Sequence, residues 1–114
     1  MIEYGHFIGG KRVAGTSGQT HEVLQPMDGS VRGTVALASA AEMRAAVENA
    51  KAAQPAWAAT NPQRRVRVLM KFLELVNREY DELAEILARE HGKTIADAKG
   101  DIQRGLEVIE FACG

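Results

Sequence analysis

The stretch from residue 94 onward constrains the fold most. Laid out at roughly 100° per residue, it gathers Lys99, Gln103, Glu107 and Glu110 into one narrow polar strip. Nearly everything else is apolar. Ile102, Leu106, Ile109 and Cys113 share one side, Ala98, Gly105, Val108 and Ala112 adjoin them, and Phe111 extends the arc to about 240°. A helix apolar this far round must be covered from several directions. Short hairpins and three other amphipathic helices would cover about half of it. The rest is expected to meet further polypeptide, which makes these 114 residues an incomplete piece of a larger protein, inactive alone.

Two charges interrupt the arc. Arg104 falls between Phe111 and Val108, and Asp101 lies three residues earlier on a neighbouring direction. A buried guanidinium without a partner is too costly to persist. Arg104 is therefore either one half of an ordinary intrahelical pair with Asp101 or a group kept ready for a bound anion. Spacing alone leaves both readings open.

The preceding chain reads as α+β, with strands and turns over residues 1–38 and helices over residues 39–114. From His6 to about Leu37, short β-branched runs are broken by Gly9-Gly10, Gly15-Thr16-Ser17-Gly18 and Met27-Asp28-Gly29. Phe7-Ile8 and Arg12-Val13 flank a turn suited to a two-residue hairpin, a second hairpin brackets Asp28-Gly29, and Pro26 ends its strand. Ser39 and Glu42 have capping-box spacing and open a helix over residues 39–54, with Met43, Ala46, Val47 and Ala50 as its stripe. Pro55 is expected to stop it and to leave Trp57 in the connection. Asn61-Pro62 starts a second helix reaching about Arg78, with Val66, Leu69, Met70, Leu73 and Val76 inward and Arg64, Arg65, Arg67 and Lys71 on a solvated face. A third helix over residues 80–91 turns Leu83, Ile86 and Leu87 inward and closes at Gly92. No linker or repeat divides the chain, so the sequence reads as one continuous unit.

Fourteen basic against fifteen acidic residues provide no field for steering nucleic acid or an anionic membrane, so neither is a predicted partner. No apolar run approaches the roughly 20 residues that span a bilayer, and a cytoplasmic location is expected. The histidines at 6, 21 and 91 are too far apart for local metal-ligand spacing, and no metal is placed. His91-Gly92-Lys93-Thr94 lacks the earlier glycine of a phosphate loop, because Leu87 stands there, and no Gly-x-Gly-x-x-Gly occurs. No cofactor-binding residue is therefore assigned. Cys113 on an apolar stripe reads as a packed thiol. His21 with Glu22, and His91 with Glu90, lack the third member of a catalytic set. No catalytic residue is expected in this chain.

Several segments together resemble the N-terminal part of an aldehyde dehydrogenase: His6 to Lys11, the turn Pro26 to Gly29, the Pro55-Ala56-Trp57 helix exit and Glu90 to Thr94. The closing run Gly-Asp-Ile-Gln-Arg-Gly-Leu-Glu-Val-Ile-Glu-Phe-Ala-Cys-Gly, from Gly100 to Gly114, is similar to the branch acting on methylmalonate and malonate semialdehydes. Gln25 departs from the asparagine usual before that proline. The resemblance implies part of an α/β NAD-binding domain in an oligomeric, NAD-dependent enzyme. Such an enzyme forms a thioester on a cysteine beyond these residues, loses carbon dioxide and passes the acyl group to coenzyme A. It implies that Arg104 receives the substrate carboxylate with Asp101 orienting it, and that Cys113 is not the nucleophile. Some family members also hold a monovalent cation near the positions of Leu24 and Asp101, a lesser expectation here because one carboxylate is a poor cation cage. The competing readings are a free-standing, non-catalytic helical interaction module and a different aldehyde dehydrogenase branch.

Overall fold

The computed structural model describes residues 1–114 in the order β1 (Ile2–Tyr4), β2 (His6–Ile8), β3 (Lys11–Val13), β4 (Thr20–Leu24), β5 (Val31–Ala36), α1 (Ala40–Ala59), α2 (Pro62–Arg78), α3 (Tyr80–His91) and α4 (Ile95–Cys113). The α+β reading holds. The fold divides into two compact units at a place no linker marks, between Ala59 and Thr60, after α1 rather than at the change from strand to helix.

In the first unit, β2 and β3 pair antiparallel with His6 opposite Val13 and Ile8 opposite Lys11. Gly9 and Gly10 join them at φ of 62° and 75°, the double left-handed geometry that matches the twist of a two-residue hairpin. β4 and β5 form the second expected hairpin. Its loop is closed by Gly29 N–H donating to the Gln25 carbonyl at 2.8 Å and by Asp28 Oδ1 accepting from the Ser30 amide at 2.9 Å. Val23 faces Gly33 but Leu24 faces Val31, so Arg32 is the extra residue of a bulge in β5.

β1 is an element the sequence reading omits. It pairs parallel with β5, giving a sheet of order β1-β5-β4. Gly33 makes this approach possible, because a Cβ there would stand 2.3 Å from the Ile2 carbonyl oxygen. Three residues of strand, Ile-Glu-Tyr, carry too short an alternation to be separated from coil by pattern alone.

The capping box at α1 forms in full. Ser39 Oγ accepts from the Glu42 amide at 3.2 Å, and Glu42 Oε2 accepts from the Ser39 amide at 2.8 Å. The other carboxylate oxygen accepts from the Thr16 amide at 2.6 Å, which ties the helix start to the loop before β4. These amides, Ser39 first, hold the Glu42 carboxyl down at about 2.

Pro55 does not stop α1, which runs on through Trp57 to Ala59. Proline removes one helix hydrogen bond, but the alanines on both sides have the highest helix propensity and sustain the turn across the gap. Trp57 is therefore a helix residue, half-exposed, and not a cover in a connection. Met43 and Val47 of the expected stripe are exposed, while Ala46 is half-buried.

In the second unit the starts of α2 and α4 and the end of α3 have partners for their free backbone groups, while the start of α3 has no side-chain cap. Asn61 Oδ1 accepts from the Gln63 amide at 2.9 Å, with Pro62 in the first turn. Gly92 closes α3 at φ 78° and donates to the Ala88 carbonyl, and Thr94 Oγ1 accepts from the Asp97 amide at 3.2 Å to open α4. α4 packs on both α2 and α3. The core is small: Ala84 and Ala98 are fully buried and Leu106 is 4% exposed.

The expected stripes are covered only in part. On α2, Val66, Leu69, Leu73 and Val76 are half-buried, but Met70 is exposed; on α3, Leu83 and Leu87 are half-buried and Ile86 is exposed. Arg65 corrects the reading of a wholly solvated basic face. It is half-buried and its Nε is enclosed, while Arg64, Arg67 and Lys71 are exposed. Lys99 likewise leaves the polar strip. Its ammonium pairs with Asp81 at 2.7 Å, and its carbonyl accepts from the Tyr80 hydroxyl at 2.7 Å, so it fastens α4 to the start of α3.

Candidate functional site

α4 turns Ala98, Leu106, Ile102 and Ile109 toward α2 and α3, which leaves the other half of its apolar arc open. Val108 and Phe111 lie on that open side, Phe111 at 88% exposure. Between them on the helical wheel stands Arg104, whose side chain is 80% exposed. In this chain the guanidinium is thus not buried. The sequence places it on the apolar arc correctly, but the two neighbouring helices pack on the opposite half.

Asp101, one turn back, is half-buried with its side chain 38% exposed. The predicted Asp101–Arg104 contact forms, but as a single bond from Arg104 Nη1 to Oδ1 at 3.4 Å. That is long for a charge-assisted bond. The other oxygen, Oδ2, accepts from the ammonium of Lys93, a residue that lies in the failed phosphate-loop motif and in the Glu90 to Thr94 resemblance but to which the sequence assigns no role. Lys93 enters the site because Gly92 closes α3 in the left-handed conformation and Thr94 caps α4, so the chain reverses between them. A separation of eight residues has no signature within one helix, and only the turn makes the pair.

The cluster therefore holds two cations on one carboxylate. The Asp101 carboxyl lies below its usual range, first through the hydrogen bond from Lys93, then through the charges of Lys93, Arg104 and His91, against an opposing effect of partial burial. With both Asp101 oxygens engaged, a monovalent cation there would have to displace Lys93. No group of three or more metal-ligating side chains is gathered anywhere in the chain.

The remaining candidates stand apart from this cluster. Cys113 is half-buried at the end of α4, in a hollow lined by Val66 and Met70. His21 and Glu22 are exposed on β4, and Glu90 and His91 are exposed at the end of α3. His6 Nε2 is enclosed 4.0 Å from Glu42 Oε1, a contact within the strand unit that no spacing rule would reveal. No helix is long and apolar enough to cross a membrane.

Comparison with known proteins bears on the family and the fold. The profile of the Aldehyde dehydrogenase family matches residues 13–114. The chain is 43% identical over 107 residues to the acylating mitochondrial methylmalonate-semialdehyde/malonate-semialdehyde dehydrogenase of Homo sapiens, covering 94% of this chain and 20% of that protein. Among solved structures, a Sinorhizobium meliloti 1021 protein assigned as a methylmalonate-semialdehyde dehydrogenase and complexed with NAD is 68% identical, with a TM-score of 0.95, over 100% of this chain and 23% of that one. The methylmalonate-semialdehyde dehydrogenase of Oceanimonas doudoroffii is 37% identical, with a TM-score of 0.94, over the same shares. The chain spans about a fifth of the length of these relatives, at their N-terminal end.

Proposed function

Because this chain belongs to the aldehyde dehydrogenase family, we propose that it is the N-terminal segment of an NAD-dependent, coenzyme A-acylating methylmalonate/malonate-semialdehyde dehydrogenase. In this reading it contributes scaffold to the cofactor domain and one wall of the substrate entrance, and works within a homo-oligomer. Arg104 receives the substrate carboxylate and Asp101 orients it. The observation that carries the assignment is the state of Arg104. A guanidinium on an apolar helix side, held by one long bond to a carboxylate already engaged elsewhere, keeps most of its fork free for a planar anion.

The reacting groups lie outside these 114 residues. The left-handed glycines Gly9, Gly10, Gly18 and Gly29 sit in the strand region and Gly92 at the end of α3, so none forms the strand-to-helix turn that holds a dinucleotide pyrophosphate. These residues do not fit NAD, and its hydride chemistry belongs to the rest of the enzyme. What this segment supplies is anion binding and orientation: the substrate carboxylate meets a positive fork steadied through one bond to Asp101, which sets where the aldehyde end points.

The test is Arg104→Gln in the full-length enzyme. Loss of a charge-assisted bond worth about 1.5 to 3 kcal/mol lowers kcat/KM for methylmalonate semialdehyde roughly ten- to a hundredfold, and lowers it far less for propanal, which has no carboxylate. Equal losses for the two aldehydes would remove Arg104 from substrate recognition.

A further inference from the structure

Resting on the carboxylate-receiving role of Arg104, we propose that Lys93 is a positioning residue that keeps Arg104 available, by occupying the Asp101 carboxylate that would otherwise close on the guanidinium. Arg104 and Asp101 are three residues apart on one helix, a spacing at which the two side chains meet readily. Left to themselves they can form the two-bond fork that arginine and carboxylate favour, a neutral pair with little attraction for a third, anionic partner. In the structure that fork is not formed. Oδ2 is taken by Lys93, and Oδ1 reaches only Nη1, at 3.4 Å.

The way each cation is held assigns the roles, Lys93 bonded closely to Oδ2 and Arg104 through one 3.4 Å bond to Oδ1. The Lys93 side chain is 20% exposed and lies in the turn that joins α3 to α4, held at one end by the left-handed Gly92 and at the other by the Thr94 cap. Arg104 stands out from α4 at 80% exposure. The enclosed cation is the fixed partner of Asp101 and the open one is the free partner. Two cations sharing one carboxylate leave the cluster with one net positive charge, so an arriving carboxylate completes the set of pairs instead of having to break one. Asp101 then steadies Arg104 through one oxygen without neutralising it. The lowered Asp101 carboxyl, with Lys93 as its first cause, agrees with this division.

The test uses the full-length enzyme and reads the selectivity for methylmalonate semialdehyde over propanal, as the ratio of their kcat/KM values. Lys93→Met is expected to lower this ratio roughly two- to fivefold, the size of an exposed ion pair that the substrate must now break, with the loss in KM rather than kcat. Lys93→Arg restores it. Adding Asp101→Asn to Lys93→Met also restores it, because the amide still accepts one bond from Arg104 but cannot neutralise it. If Lys93→Met fails to fold, Lys93→Gln alone and with Asp101→Asn provides the same comparison. A purely structural role for Lys93 predicts losses shared by both aldehydes and no recovery in the double variant, and that result overturns the proposal. Arg104→Gln in the same series separates the two failures. If it lowers the ratio and Lys93→Met does not, the Lys93 role alone falls; if it leaves the ratio unchanged, the carboxylate reading falls and the Lys93 role with it.

Discussion

Leu106→Ala is the perturbation that most sharply tests how the helical unit is held. Leu106 is the only large side chain in the buried core, at 4% exposure, and its two companions are alanines. Removing it takes away nearly a full leucine's burial, about 1.5 to 3 kcal/mol of transfer energy, together with a cavity contribution. The open groove bordered by Phe72, Val76, Ile102 and Ile109 lets the site relax, so the expected cost is near the low end of the leucine-to-alanine range, about 2 to 3 kcal/mol. With a urea slope of about 1 kcal/mol per molar for a chain of this size, the midpoint falls by about 2 M or more, or cooperative melting is lost outright. Phe111→Ala is the control. It removes a larger side chain, but one at 88% exposure, so within the 114-residue chain its cost stays within about 0.5 kcal/mol. The assay is urea unfolding followed by far-ultraviolet circular dichroism. A Leu106→Ala midpoint within 0.5 M (~0.5 kcal/mol) of the parent, or a Phe111→Ala loss equal to it, would refute the packing described for α4.

Two further outcomes follow from the strand unit. The Glu42 carboxyl titrates at about 2 in the fold against an ordinary value of 4.5, so its contribution is complete above about pH 4.5 and is lost as the pH falls toward 2. The protection of the Thr16 and Ser39 amides against exchange, relative to their intrinsic rates, should fall over that window as the pH is lowered, and Glu42→Gln should flatten the dependence; an unchanged profile in the variant would assign the effect to another group. Gly33→Ala places a methyl group 2.3 Å from the Ile2 carbonyl oxygen, so β1 should detach from β5 while the β2–β3 hairpin remains. Loss of the cross-strand nuclear Overhauser contacts between Ile2 and Gly33 would report it, and their survival would contradict the close approach of β1 to β5.

Elements announced by local chemistry were legible in the sequence. Ser39 with Glu42, Asn61-Pro62 and Gly92 mark helix ends because each satisfies free backbone groups within a few residues of itself, and Gly9-Gly10 marks a hairpin because its geometry is decided by two residues. What escaped was decided by partners distant in sequence. β1 exists through its pairing with β5, and nothing in Ile2-Glu3-Tyr4 itself announces a strand. Pro55 is a strong local signal that a run of flanking alanines outweighs. The candidate site divides in the same way. Arg104 and Asp101 could be paired by helical spacing, whereas Lys93 joins them only through the reversal at Gly92 and Thr94. The extent of the apolar arc of α4 was readable, but which half α2 and α3 would cover was not, and that choice leaves Arg104 open.

A full-length enzyme carrying this segment, supplied with methylmalonate semialdehyde, NAD and coenzyme A, should form propanoyl-CoA in step with NADH, with the substrate carboxylate released as carbon dioxide. Mass analysis of the acyl-CoA product decides whether the segment belongs to a coenzyme A-acylating enzyme. Methylmalonate as the product, with coenzyme A unconsumed, would contradict that assignment.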